Sequence, residues 1–138
     1  MMTPDLAGKR VFVVEDEMLV SMLLEDMLTD IGCQIVATAS RLEDALQHAR
    51  DSALDVAILD VNLNGQPSYA VAEALAARNL PFVFATGYGK AGLASAYRHL
   101  PTLQKPFQSD DVVRALSEAL RREGHAEALK PIPTPPSP

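Results

Sequence analysis

Five short apolar runs, rich in Val, Ile and Phe, alternate along the chain with segments whose apolar residues recur every three or four positions. The short runs are typical of buried strands, and the longer spacing is typical of amphipathic helices. Their regular alternation predicts an α/β fold, in which a five-stranded parallel sheet is joined by crossover helices. The predicted strands are Arg10–Val14, Gln34–Ala39, Val56–Asp60, 81–85 and 102–105.

Five helices are predicted between and after these strands. In the first helix, apolar residues recur at helical spacing, and Gly32 marks its end; these residues are Leu19, Met22, Leu23, Met27 and Leu28. The segment 86–101 contains three glycines, and each costs about 1 kcal/mol relative to alanine inside a helix. We therefore expect the fourth helix, which falls in this segment, to be short or mobile.

Composition and charge exclude several classes of protein. Of the 138 residues, 48% are hydrophobic, which is enough for the core of one domain. The formal charge of −6 is the wrong sign for binding nucleic acid phosphates. The single cysteine, Cys33, cannot form a disulfide within the chain, and the sequence contains no signal peptide or bilayer-spanning run. We expect a cytoplasmic protein that binds neither nucleic acid nor membranes and is a monomer or weak dimer.

Five of the ten prolines lie in the last eight residues. Proline interrupts both helices and central strands, so this composition predicts a disordered tail. The expected organisation is a folded domain over residues 8–122 followed by a proline-rich tail over 123–138. Because this leaves no room for a second domain, we expect any output to pass through a separate partner.

Polar residues follow the predicted strands at the point where each strand ends. Glu15 and Asp16 follow the first strand, Asp60 ends the third, Thr86 follows the fourth and Lys105 ends the fifth. The carboxyl ends of parallel strands meet at one edge of the sheet, where ligands of such folds bind. Each residue alone has an ordinary explanation, such as a helix-start charge or a turn residue. Together they predict a site with three carboxylates, a hydroxyl and an ammonium group.

Clustered carboxylates repel one another unless a cation compensates their charge. Oxygen ligands of this kind suit Mg²⁺, which usually binds one or two carboxylates together with phosphate oxygens. Asp60 stands alone at the end of the central predicted strand, so it is the candidate nucleophile toward a phosphoryl donor. Glu15 and Asp16 are the candidate metal ligands. Lys105 and Thr86 would neutralise and hydrogen-bond the phosphoryl oxygens.

At this level of detail the sequence resembles the receiver domains of two-component response regulators. The motifs VFVVEDE, VAILDVNLNG, FATGYG and QKPF occur in the family's order and spacing over about residues 8–122. The resemblance implies a flavodoxin-like, doubly wound fold and phosphoryl transfer from a sensor histidine kinase in the presence of Mg²⁺. It implies that Asp60 is the phosphoacceptor, that Glu15 and Asp16 bind the metal, and that Asn62 offers it a backbone carbonyl. Thr86 and Lys105 resemble the switch hydroxyl and the phosphate-binding lysine.

The run PFVFATGYG narrows the resemblance to the FAT-GUY subfamily of stand-alone regulators, which is associated with HWE-type histidine kinases. By resemblance, Pro106 is expected to follow a cis peptide bond. Two departures from the family pattern stand out. Thr102 replaces a frequent switch aromatic, so we expect Tyr88 to take over that role and to become ordered with the segment after it. Asn64 replaces a frequent proline, which should alter loop rigidity more than chemistry.

The leading hypothesis is a phosphorylation-dependent signalling protein that is not an enzyme and acts on other proteins or in a phosphorelay. A phosphatase of the haloacid dehalogenase type would also use a strand-end aspartate and Mg²⁺. That class needs a second aspartate two residues later, where this chain has Asn62. A flavodoxin would need a phosphate-binding loop where this chain has the acids 15–17. A pseudo-receiver that takes no phosphate is disfavoured by the intact set of polar residues.

Overall fold

A computed structural model describes residues 4–122 of the chain. The predicted tail, 123–138, lies outside the described residues. A single 3-10 turn, Pro4–Leu6, precedes the first strand and buries Leu6 in the core. In the described part of the chain, no helix is long and apolar enough to cross a membrane.

The described residues form seven strands and four α-helices, and the chain order of the main elements is the predicted one. The strands are β1 (Arg10–Val14), β2 (Gln34–Ala39), β3 (Val56–Asp60), β4 (Asn62–Leu63), β5 (Gln66–Pro67), β6 (Phe82–Thr86) and β7 (Thr102–Gln104). The helices are α1 (Met18–Ile31), α2 (Leu42–Asp51), α3 (Tyr69–Ala77) and α4 (Ser109–Arg122).

The main sheet has five parallel strands in the order β2-β1-β3-β6-β7, which confirms the predicted doubly wound fold. Every residue of β3 and β6 is buried, because helices cover both faces of the sheet. One apolar layer lies between the sheet and α1 with α4 and includes Leu28, Ile58 and Leu116. The other lies between the sheet and α2 with α3 and includes Phe12 and Leu75.

Helix α1 buries a different set of apolar residues from the set that its sequence suggests. Leu24, Leu28 and Ile31 are its buried residues, and Gly32 ends it in a left-handed conformation with φ 105°. The predicted apolar positions nearer its start face outward instead: Leu19, Met22 and Leu23 are exposed, as is Met18. Apolar spacing therefore identified the helix but not which of its apolar positions a neighbouring element covers.

The fourth helix, which is predicted to be short or mobile, is replaced by short 3-10 turns between β6 and β7. The segment forms two 3-10 turns, Gly89–Gly92 and Ser95–Tyr97, so the described chain has four α-helices instead of five. The backbone at Gly89 has φ 59°, which is outside the right-handed helical region. Side-chain bonds hold the non-helical path: Lys90 Nζ donates to the carbonyl oxygens of Arg98 and Leu100 at 2.9 and 2.7 Å.

An aromatic cluster fixes the same segment against the sheet. The ring of Tyr97 stacks on that of Tyr69 at 5.1 Å with an interplanar angle of 2°, and it meets Phe84 edge-on. The Tyr69 hydroxyl accepts the backbone N–H of Ala94 at 2.7 Å. The segment between β6 and β7 is therefore held by specific side chains in the absence of a helix.

Candidate functional site

The acids that follow β1 meet the acid that ends β3. Strand β1 pairs with β3 up to Val14 and Leu59, so the next residues of both strands emerge side by side at the edge of the sheet. One carboxylate oxygen from each of Glu15, Asp16 and Asp60 lies within 4.8 Å of the others. Asp60 is 6% exposed and Glu15 is 3% exposed, whereas Asp16 is half-buried. The structure thus brings together the three predicted carboxylates.

Lys105 links these acids across the edge. Strand β7 pairs with β6, and the Lys105 N–H donates to the Thr86 carbonyl at 2.9 Å, which fixes the residue just beyond the strand end. Its Nζ lies 3.0 Å from Glu15 Oε1 and 3.2 Å from Asp60 Oδ2. The exposed Glu17 is more distant, at 3.8 Å. The peptide bond from Lys105 to Pro106 is cis, as predicted.

The electrostatics of this cluster differ from one acid to the next. Burial raises the pKa of Glu15 to about 7, against the opposing effect of Lys105, and the nearby charge of Asp60 adds to the rise. Burial also raises the pKa of Asp60 above its usual range. For Asp16, burial is the largest single influence and acts to raise the pKa, but several hydrogen bonds together outweigh it and lower the pKa; the bond from the Asn64 N–H is the largest of them.

The ammonium group of Lys105 stays charged in this setting. Burial disfavours its charged form, but the contacts with Glu15 and Asp60 outweigh burial and raise its pKa. One cation therefore faces two buried acids. The three carboxylates lie close together, and Lys105 compensates only part of their negative charge. Such a group of oxygen atoms suits a hard divalent cation such as Mg²⁺.

Thr86 is the last residue of β6 and lies at the same edge. The sheet pairs Asp60 with Ala85, so Thr86 is the next residue beyond that pair. Its side chain is buried, and its Oγ1 accepts the Tyr88 N–H at 3.1 Å. The residue Tyr88 itself is 81% exposed in this structure. Among the predicted site residues, Tyr88 and Asn62 are exposed.

Asn62 lies two residues after the candidate phosphoacceptor, in β4. Its N–H donates to Asp60 Oδ1 at 3.2 Å, so the carboxylate of Asp60 is held on one side by Asn62 and on the other by Lys105. The side-chain oxygen of Asn62 accepts the N–H of Gly65. Metal binding through the Asn62 carbonyl stays a prediction.

Two contacts of the site were not expected from the sequence. Ser68 is fully buried, and its hydroxyl donates to the carbonyl oxygen of Asp60 at 2.6 Å. The Asp60 carbonyl lies one residue beyond the last residue pair between β3 and β1, so β1 does not bond it. The Ser68 hydroxyl supplies a hydrogen bond in its place. The N–H of Asn64 donates to Asp16 Oδ2 at 2.9 Å. Ser68 lies at a position where serine commonly caps a helix. The sequence pattern therefore indicates a capping residue and gives no sign of the bond to Asp60.

Comparison with known proteins identifies chains of similar fold. The chain is 46% identical to SdrG from Sphingomonas melonis Fr1, with a TM-score of 0.75 over 82% of this chain and 97% of that one. The BeF3-activated conformation of SdrG from Pseudomonas melonis Fr1 is likewise 46% identical, with a TM-score of 0.72 over 83% of this chain and 98% of that one. The receiver domain of the sensor histidine kinase PA1611 from Pseudomonas aeruginosa PAO1, with a magnesium ion in its active site cleft, shares the fold at 21% identity and a TM-score of 0.67, over 83% of this chain and 99% of that one.

Among curated proteins, the chain is 29% identical to the transcriptional regulatory protein PdtaR of Mycobacterium tuberculosis over 88% of its length. It spans 62% of the length of that relative. The family model of the response regulator receiver domain matches residues 11–117. Receiver domains bind Mg²⁺ at an acidic site of the kind that Glu15, Asp16 and Asp60 form here. The chain therefore belongs to the response regulator receiver domain family.

Proposed function

We propose that Asp60 accepts a phosphoryl group from a phosphohistidine of a sensor histidine kinase. A carboxylate oxygen of Asp60 attacks phosphorus, the P–N bond breaks, and its electron pair returns to the imidazole of the kinase. The observation that carries the proposal is the setting of Asp60, a buried carboxylate at the end of the central strand with Lys105 Nζ at 3.2 Å. The family membership of the chain supports it.

The residues around Asp60 have distinct proposed roles. Lys105 already contacts Asp60 and would neutralise one phosphoryl oxygen as a point charge. Thr86 would donate its hydroxyl proton to another oxygen; Oγ1 at present accepts the Tyr88 N–H and still has that proton to donate. The N–H of Asn62 keeps the Asp60 side chain oriented while the new bond forms.

Mg²⁺ would be held by the carboxylates of Glu15, Asp16 and Asp60 and by the backbone carbonyl of Asn62. When bound, it supplies positive charge that stabilises the charge on the transferring phosphoryl group. The acids themselves fit this role because Lys105 compensates only part of their charge. Loss of the metal should therefore abolish phosphoryl transfer while leaving the fold intact.

For the output, we propose phosphorylation-dependent binding of another protein, or a step in a phosphorelay. The supporting feature is the segment between β6 and β7, which starts at Thr86 and is held only by 3-10 turns and side-chain contacts. The run PFVFATGYG supports assignment to the FAT-GUY subfamily, and with it an HWE-type kinase as donor. Within this proposal the receiver domain spans residues 8–122, and the protein is cytoplasmic.

The test is phosphotransfer to the Asp60→Asn variant from the isolated, radiolabelled kinase domain. We expect wild-type protein to take up label that is sensitive to hydroxylamine, as an acyl phosphate is, and the variant to take up none. Asp51→Asn, which changes an exposed acid of α2, is the matched control and should be labelled like wild type. Label that persists on Asp60→Asn would refute the assignment of Asp60.

A further inference from the structure

The segment from 61 to 68 forms a closed hairpin beside the acid cluster. Strands β4 and β5 pair Asn62 with Pro67 and Leu63 with Gln66. The two turn residues, Asn64 and Gly65, have φ of 52° and 88°. Positive φ at both central residues is the requirement of a tight two-residue hairpin turn, which asparagine followed by glycine satisfies well.

The base of this hairpin is fixed to the end of β3. The Ser68 N–H donates to the Val61 carbonyl at 2.8 Å, and the Ser68 hydroxyl donates to the Asp60 carbonyl at 2.6 Å. Leu63 points inward and is buried in the core. The hairpin is therefore anchored on both of its sides, and its tip has a defined position over the site.

The tip of the hairpin contacts one candidate metal ligand directly. The Asn64 N–H donates to Asp16 Oδ2 at 2.9 Å, although the two residues are 48 positions apart in the chain. A carboxylate has two oxygens and about four lone-pair sites, so the bond from Asn64 does not exhaust the capacity of Asp16 to bind a cation. Proline, which many receivers carry at this position, has no N–H to donate and cannot adopt φ 52°. Asn64 thus makes a contact that proline could not.

We infer that Asn64 is a positioning residue for metal binding: its backbone N–H holds the Asp16 carboxylate in the orientation that Mg²⁺ requires. The inference rests on the proposed function and extends it to a residue outside the predicted ligand set. Groups that orient a metal ligand typically change affinity 10- to 100-fold when removed. Because Asn64 is exposed, we expect the lower end of this range, a loss of about tenfold.

The test compares Mg²⁺ dissociation constants of wild type, Asn64→Gly and Asn64→Pro by calorimetric or NMR titration. Glycine retains the N–H and tolerates positive φ, whereas proline has neither property. We expect Asn64→Gly to bind Mg²⁺ within about twofold of wild type and Asn64→Pro to bind it about tenfold more weakly. Equal affinity in the two variants would overturn the inference, while a wild-type protein that binds no Mg²⁺ would instead overturn the proposed function.

A second measurement decides the question if Asn64→Pro does not fold. Amide hydrogen exchange at Asn64 in the wild-type protein should be slowed by its bond to Asp16, despite its exposed position at a hairpin tip. In Asp16→Ala this protection should fall at least tenfold, while the Ser68 amide, bonded to Val61, keeps its protection. Exchange at Asn64 that is unprotected in wild type, or unchanged in Asp16→Ala, contradicts the inference.

Discussion

Gly92 packs directly against the hydroxyl of Thr86. A Cβ atom on Gly92 would lie 2.6 Å from Thr86 Oγ1, which is shorter than any ordinary contact, and 3.1 Å from the Cβ of Tyr88. The first 3-10 turn after β6 therefore touches the proposed switch hydroxyl through a residue without a side chain. If Thr86 moves toward a phosphoryl group, the space beside Gly92 opens. A change at the site can therefore be transmitted through this contact to the segment between β6 and β7.

The first prediction is that Gly92→Ala disturbs this link. The added methyl group must displace Thr86 or the turn, and such overpacking costs about 1–3 kcal/mol of the free energy of unfolding. Urea denaturation measures that loss, and phosphotransfer measures the effect on the site. Gly87→Ala is the matched control, because a Cβ at Gly87 has nothing within 4 Å. Equal effects of the two substitutions would contradict the contact.

The second prediction concerns the order of the segment between β6 and β7. We expect amide exchange over residues 86–99 to slow when Mg²⁺ and beryllofluoride, a phosphoryl analogue, are added, because a doubly charged group can order a loop through new hydrogen bonds. Unchanged exchange would remove the proposed role of Tyr88 and of the segment.

Lys90 provides a related test in the absence of phosphoryl groups. Its ammonium bonds the carbonyl oxygens of Arg98 and Leu100, so Lys90→Met should speed amide exchange over residues 97–100. Arg121→Met, at an exposed position of α4, is the control cation substitution and should leave that exchange unchanged. If both variants exchange like wild type, Lys90 does not hold the segment.

The third prediction is a pH dependence set by Glu15. Its pKa is about 7 in the folded chain and near 4.5 in the unfolded chain. Between these values the folded chain keeps a proton that the unfolded chain has lost, so the raised pKa stabilises the fold below pH 4.5 and this contribution is lost as pH rises to about 7. The raised pKa of Asp60 acts in the same direction, and the lowered pKa of Asp16 acts in the opposite one.

Mg²⁺ competes with the proton on Glu15, since a carboxylate must be ionised to bind a metal. The increase in melting temperature caused by Mg²⁺ should therefore grow from about pH 6 to about pH 8. Glu15→Gln cannot ionise at this position, and its response to Mg²⁺ should be weaker and flatter over the same range. A wild-type response that is constant with pH would contradict the raised pKa.

The fourth prediction concerns the exposed apolar residues of α1. Leu19 is 80% exposed and begins a strip with Met22 and Leu23 that starts three residues after Asp16. We expect a kinase that delivers its phosphohistidine to Asp60 to contact this strip, because the strip is exposed and starts close to Asp16. We expect Leu19→Asp to slow phosphotransfer from the kinase at least tenfold, while labelling by the small donor acetyl phosphate stays normal. Equal slowing with both donors would indicate damage to the site instead.

The sequence was sufficient to predict the residues at the strand ends. Glu15, Asp16, Asp60, Thr86 and Lys105 are each tied by sequence to a strand end, and parallel pairing brings these ends together. Their meeting point follows from the strand order alone. The strands themselves were recognisable because β3 and β6 are apolar throughout, as burial on both faces requires.

Other features depend on contacts that local pattern does not contain. The bond from Asn64 to Asp16 uses a backbone N–H and a turn with positive φ, so the side chain of Asn64 gives no sign of it. The segment after β6 has hydrogen bonds of Lys90 and Tyr69 in place of the predicted helix. These bonds connect residues much farther apart in the chain than one helical turn, so local periodicity does not reveal them. The outward face of α1 is apolar, and within residues 4–122 no element covers it; periodicity alone cannot distinguish such a face from a core face.

The two-sided hold on the Asp60 carboxylate has a practical consequence for genetics. The Asn62 N–H donates to one carboxylate oxygen of Asp60, and Lys105 donates to the other. Asp60 itself is only 6% exposed. A phosphomimetic Asp60→Glu allele would push its carboxylate one carbon farther into this space and would carry one negative charge, where a phosphoryl group brings about two. Such an allele would break both contacts without imitating the modification. It should be scored as a loss of signalling rather than as a locked-on strain.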